Sequence, residues 1–326
     1  MEISRRGLLQ GALATSVLAV GDRVAAAGPA RVFVVKGTNR ARAVAACFDA
    51  AQFTACDERA VAIKANFNSG DAFPASTHPA TLRALLGTLK SRRATQLTLA
   101  ERSGMGDTRN VLTSTGAADV VKDAGAQLVV LDEVEREGWA PMRGAHWPNG
   151  FHAARVFTDA PCVVQTMCCK THRFGGHVTL SLKNTVGLVA KTIPGDDGHN
   201  YMRDLHRSEH QRAMIAEANL AWRPALSVMD CLEAFVDGGP EAGRRAAPGV
   251  FLASEDRCAL DAAAIALLRL HGMTGPAARG PIGETAQLAR AIALGVGQPP
   301  ASVAVVPVEP SARDVAQRIG ELLARG

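Results

Sequence analysis

Short β-rich runs alternate with amphipathic helical stretches along this chain, and that alternation restricts its architecture more than any other feature. Val32–Val35 reads as a strand and Arg40–Ala51 as a helix. Val61–Ala65 is a second strand, and Pro79 opens a helix that runs to Lys90. Gln96–Ala100 is a strand ending in Glu101. Ala117–Asp123 is helical, Gly125 stops it, and Gln127–Leu131 is the next strand. The second half adds strands at Cys162–Met167, Ala225–Met229, Val250–Ala253 and Ser302–Val306, with helices at Leu205–Ala221, Asp256–Leu270 and Ala312–Arg325. Strands joined by helical crossovers pair in parallel. The pattern therefore predicts an α/β fold, a mostly parallel sheet with helices on both faces. Trp139–Asp159 and Ile193–Asn200 read as loops and form the expected irregular middle segment covering the strand-end cleft; Gly238-Gly239-Pro240 breaks the chain.

The amino terminus reads as an address. Ser4-Arg5-Arg6-Gly7-Leu8-Leu9 has the paired arginine of a twin-arginine export signal, an apolar run follows from Gly7 to Val20, and Ala25-Ala26-Ala27 is a small-residue cleavage site. The expectation is that residues 1–27 are removed after passage through the twin-arginine translocase, leaving 28–326 as a single periplasmic α/β domain. The apolar run is short of the ~20 residues a bilayer span needs, and no later stretch is long and apolar enough to cross.

Composition excludes some partners. The net charge of +5 is scattered, with only pairs at Arg92-Arg93 and Arg244-Arg245, and there is a single Tyr. A nucleic-acid surface shows a basic stripe with stacking platforms, so nucleic acid is rejected. The seven cysteines form no C-x-x-C, so neither a zinc ribbon nor a ferredoxin-type iron–sulfur cluster is encoded. An odd count leaves at least one thiol unpaired within the monomer, and most of the seven read as small core residues.

Ligands of open parallel sheets bind at the carboxyl ends of the strands. Polar residues fall there: Lys64 and Asn66, Glu101 and Ser103, Lys170 to His172, Asp230, and Ser254 to Asp256. Six short segments in order also carry a resemblance: Ile63-Lys64-Ala65-Asn66, Lys170-Thr171-His172, Leu180-Ser181-Leu182-Lys183-Asn184 with Gly187, Val228-Met229-Asp230, Gly238-Gly239-Pro240, and Ala253-Ser254-Glu255-Asp256 with Ala259-Leu260-Asp261. Over Val32 to Leu294 the chain resembles the domain-of-unknown-function 362 family. The resemblance implies little biochemistry. Many members carry a fused iron–sulfur module, which this chain lacks, and members usually have apolar residues or Pro where Cys168-Cys169 precede the Lys-Thr-His.

Ammonium and amide donors suit a carboxylate or phosphate, so Lys64, Asn66, Lys170 and Asn184 are the expected binders of a small anionic molecule. His172 is the expected acid or base, with Asp230 or Asp256 orienting the imidazole or holding a divalent metal; Lys183 stands with these three among the catalytic candidates and joins Lys64 and Lys170 in holding the anion. A second constellation, His206-Arg207-Ser208-Glu209-His210, would put two histidines on one helical face, making His172, His206 and His210 the candidate metal ligands. The bland alternative is a solvated helix. Cys168 or Cys169 beside Lys170 is a candidate reactive thiol. Two readings stay open: an enzyme acting on a small anion by His acid/base or metal-assisted chemistry, and a metal- or ligand-binding accessory protein without turnover.

Overall fold

The computed structural model describes residues 28–174, 177–195 and 198–325; residues 1–27, where the export signal is expected, lie outside them. The strands are β1 (Ala30–Lys36), β2 (Ala60–Lys64), β3 (Gln96–Glu101), β4 (Gln127–Val130), β5 (Trp139–Met142), β6 (Phe151–Ala154), β7 (Cys162–His172), β8 (His177–Thr179), β9 (Leu226–Gly238), β10 (Gly243–Ala246), β11 (Val250–Ser254) and β12 (Val303–Pro307). The helices are α1 (Arg40–Ala50), α2 (Pro79–Ser91), α3 (Thr108–Ser114), α4 (Ala117–Asp123), α5 (Arg155–Thr158), α6 (Ser181–Asn184), α7 (Tyr201–Arg207), α8 (Gln211–Ala218), α9 (Arg257–Leu270), α10 (Ala286–Ala293) and α11 (Arg313–Leu323).

One sheet runs β12-β1-β11-β9-β7-β2-β3-β4, with β8 added to β7 and β10 to β9; β5 and β6 form a separate hairpin. Every neighbour along the path pairs in parallel except at β11, which is antiparallel to both β1 and β9. The predicted α/β architecture is therefore present, with one reversed strand. The reason is local: only residues 239–249 separate β9 from β11, and a parallel return needs a crossover of a dozen residues or more.

The strands are buried on both faces, as a helix-covered parallel sheet requires. Along β1, Phe33 and Val35 join the cluster under α1, α2 and α4, while Val32 and Val34 join the cluster under α9 and α11. A third cluster, including Trp139, Trp147, Phe151, Tyr201 and Trp222, packs over Ala62 of β2 and Val163 of β7. The middle segment is thus more ordered than its Gly- and Pro-rich sequence implies: the expected loop at Trp139–Asp159 contains β5, β6 and all of α5.

The cysteines also differ in part from expectation. Cys56 and Cys162 are joined in a disulfide, while Cys47, Cys168, Cys169, Cys231 and Cys258 are free and buried.

Candidate functional site

The cleft forms where β7 outruns its neighbour. Lys64, the last residue of β2, pairs in register with Gln165, yet β7 continues to His172. The antiparallel β8 folds back on this overhang, setting Lys170 opposite Thr179 and His172 opposite His177. α6 follows and carries Lys183 and Asn184. It is a single turn held from below by Asp261 of α9, whose carboxylate accepts from Ser181 N at 2.8 Å, Leu182 N at 3.2 Å and Ser181 Oγ. α7 and the segment before it form the other wall.

Seven cationic side chains line the resulting cavity of about 480 Å3: Lys64, Arg102, Lys170, Lys183, Lys191, Arg203 and Arg207. Glu101 is the one carboxylate among the described lining residues. Its oxygens accept from Lys64 Nζ and Ala65 N, both at 2.7 Å, so its charge is already matched. Burial pulls Lys64 below and pushes Glu101 above their ordinary ranges, against their mutual attraction. A larger cavity, about 580 Å3, runs along α1 and α2, but Arg40 and Arg83 are its only charged lining residues.

The structure brings Lys64, Asn66, Lys170, His172, Lys183, Asn184 and His206 to this one cavity. Their engagements differ. Lys170 Nζ is tied to the carbonyls of Ala75 and of Pro240, the latter at 3.0 Å, and its ordinary range is lowered by burial. His172 Nδ1 lies 2.8 Å from the Phe174 carbonyl, which can only accept, so Nδ1 carries the proton and Nε2 is left as an acceptor. Burial, with Lys183, Arg212 and Lys170 adding repulsion, drops this imidazole to about 2. Of the acid and base roles expected of it, this low value leaves the imidazole suited to accept at Nε2. Lys183 is lowered to about 7, first by burial and then by Arg212, Lys170 and Arg102. Lys183 lines the cavity and titrates near neutrality; Asp261 beneath α6, which burial raises to about 7, also titrates near neutrality.

Two expected acids lie elsewhere. Asp230 is mid-strand in β9, which runs well past the predicted end, and it faces α1 and α2: it accepts from Arg40 Nε at 2.9 Å, Leu232 N at 3.0 Å and Thr81 Oγ1. Asp256 follows β11, the reversed strand, and so leaves the sheet at the edge away from the cleft. There it caps α9 through Ala259 N at 2.9 Å and holds Gln298 N at 2.8 Å. Neither residue lines the cavity.

The expected shared helical face for His206 and His210 is also absent. The helix breaks at Ser208: His206 sits in α7, while His210 precedes α8 with an exposed side chain stacked near His146, ring centroids 4.7 Å apart. His206 does line the cavity, with Nδ1 2.6 Å from the Met202 carbonyl. Among the described residues no three His, Cys, Asp or Glu side chains converge as metal ligands. Two neutral imidazoles amid uncompensated cations do not by themselves fit a divalent ion. Cys168 is fully buried and pushed up to about 12 by that burial, despite nearby Lys170, so it is not an activated thiol.

Sequence reasoning missed Arg102 and Arg212. Arg102 is buried, with Nε on the Val189 carbonyl at 2.9 Å and Nη2 on the Val186 carbonyl at 2.6 Å. Arg212 of α8 donates Nη2 to the Phe174 carbonyl at 2.7 Å, while its buried Nε and Nη1 take no partner among the described residues. Thr179 Oγ1 and Asn66 Oδ1, both at the cavity, are buried and unpartnered as well. At the cavity itself the unmatched atoms are thus one acceptor, Asn66 Oδ1, and one hydroxyl, Thr179 Oγ1, which a ligand there could complete.

Residues 61–266 match the family described as domain of unknown function (DUF362). The chain belongs to this family. The matched span of DUF362 runs from β2 to α9 and so contains Lys64, Lys170, His172, Lys183 and Asn184. No curated protein matches the chain. Among solved structures it is similar to the lactate racemase apoprotein from Thermoanaerobacterium thermosaccharolyticum, at 15% identity and a TM-score of 0.44, covering 71% of this chain and 55% of that one.

Proposed function

We propose that this DUF362 protein is an exported enzyme acting on a small anionic substrate in the cleft, with Lys183 as the group that exchanges a proton near neutral pH. The observation that carries the reading is the excess of cations among the described residues: seven line the cavity, and the one carboxylate lining it among them is bonded to Lys64 and a backbone amide. An anion of carboxylate or phosphate type relieves that repulsion and can accept from the unpartnered Thr179 hydroxyl. Asn66 and Asn184 orient it, and His172 offers Nε2 as an acceptor. Export rests on the twin arginines and the small-residue site of residues 1–27, and the Cys56–Cys162 disulfide suits an oxidising compartment.

Calorimetric titration with sulfate and with oxalate tests the cleft, since neither probe changes charge between pH 6 and 9. The wild-type chain binds at least one of them, and Lys183→Met binds it about tenfold or more weakly at pH 6, the loss of one charge-assisted hydrogen bond. Absence of binding by the wild type overturns the reading. A binding protein without turnover would pass this test, so turnover is decided separately, by a substrate-dependent rate that vanishes in Lys183→Met while the circular dichroism stays unchanged.

A further inference from the structure

Lys183 is the odd lysine of the cleft's inner wall. Lys64 Nζ is held by Glu101 and the Ala65 carbonyl, and Lys170 Nζ by two backbone carbonyls. Among the described residues Lys183 Nζ has no hydrogen-bond acceptor, although the side chain is half-buried and lines the cavity. The groups that face it are Arg212 from α8, Lys170 and the neutral His172 from β7, Arg102 after β3 and His206 from α7. The acids nearby are engaged elsewhere: Glu101 with Lys64, and Asp261 with the amides of Ser181 and Leu182 under α6. A lysine meant only to attract anions would be given an acceptor and kept charged. This one is surrounded by positive charge in a site with room for a small molecule, the condition that frees an amine lone pair for attack.

Building on the anion reading above, we propose that Lys183 Nζ forms an imine with a 2-oxo acid bound in the cleft. Such a compound joins a carboxylate, which the surrounding cations attract, to an electrophilic carbonyl carbon. The lone pair of the neutral amine attacks that carbon, the C–N bond forms, and the carbonyl oxygen takes up a proton to give a carbinolamine. The nitrogen, having passed one of its two protons to that oxygen, then expels the hydroxyl, which leaves as water on taking a second proton from solvent, and the nitrogen of the resulting iminium keeps one proton. One water is released and nothing is oxidised or reduced. The neutral His172, with Nδ1 committed to the Phe174 carbonyl, accepts the carbinolamine hydroxyl at Nε2. Arg212 acts as a positioning residue, its fixed charge adding to burial in disfavouring the protonated amine.

Incubation of the full chain with pyruvate or 2-oxoglutarate and cyanoborohydride tests this, since hydride reduces an imine to a stable secondary amine. The expected result is a single adduct with the mass of the oxo acid less one oxygen, mapped by peptide mass spectrometry to Lys183. Lys183→Arg loses the adduct and still binds oxalate. The trapping rate rises with pH through about 7 in the wild type, and the midpoint moves upward in Arg212→Met, with a several-fold slower rate at pH 7. An adduct that maps elsewhere or survives in Lys183→Arg overturns the proposal. So does the absence of any adduct while oxalate still binds, an outcome that leaves the anion-binding cleft standing. If neither trapping nor oxalate and sulfate binding is seen, both readings fall together.

Discussion

Replacing Asp230 by Asn separates the structural role assigned to this residue from the catalytic one its sequence position suggests. The carboxylate is almost fully buried and accepts from three donors: Arg40 Nε and Thr81 Oγ1 on one oxygen and Leu232 N on the other. Asparagine preserves the volume but offers one acceptor oxygen. Its amide nitrogen must therefore point at either the Arg40 guanidinium or the Leu232 N–H, donor against donor, and Arg40 loses its counter-charge. Breaking a buried ion pair costs about 3–5 kcal/mol. The Arg40 side chain is 18% exposed and can partly rehydrate, which places the cost near the lower end, about 3 kcal/mol. Urea unfolding followed by tryptophan fluorescence should show the midpoint falling by about 1 M at an unchanged slope. Sulfate affinity should stay within twofold, because Asp230 faces α1 and α2 and does not line the cleft. If Asp230→Asn abolishes sulfate binding with the urea midpoint unmoved, the assignment of roles is wrong.

Three further outcomes are expected. Lys183 titrates about 7 in the folded chain against its ordinary 10.5, so the unfolded state binds the extra proton between those values and the penalty is full below pH 7; Lys183→Met should therefore stabilise the protein at pH 6 and progressively less toward pH 10, as read by thermal unfolding. Asp256→Ala removes the α9 cap and orphans Gln298 N, lowering stability by about 1–3 kcal/mol with sulfate affinity unchanged, measured by the same unfolding and titration. Alkylation of the denatured chain followed by mass spectrometry should tag five cysteines without reductant and seven with it; seven without reductant would remove the disulfide.

Much of the layer arrangement was legible because local patterning decides it. The strand–helix alternation located β1, β2, β3, β4 and β12 to within two residues at each end, and the helices α1, α2, α4, α9 and α11 with them. The errors have a common cause in tertiary pairing. β7 and β9 run on past their apolar cores because each pairs with the other through a bulge at Cys168 and Cys169, and no period in the sequence announces a polar residue that stays in the ladder. Asp230 was read as a strand end for that reason. Asp256 was misplaced because strand-end reasoning assumes a common direction, although the short stretch 239–249 already signalled a reversal. In the site, the residue types Lys64, Lys170, His172, Lys183 and Asn184 were legible and their protonation was not. Burial determines most of it, with Arg212 adding repulsion at Lys183 and His172; Arg212 is spaced on α8 like any solvated arginine, and only the assembled fold shows that it is buried.

The direction of β1 has a practical side. It runs parallel to β7, so its first residue, Ala30, stands at the rim where Gln298 binds Gly28 and Ala30, and the cleft opens at the other rim. A fusion partner or surface linker joined just ahead of Gly28 is attached on the far side of the molecule from Lys183. Immobilisation through a linker placed there turns the entrance of the cavity toward the solution.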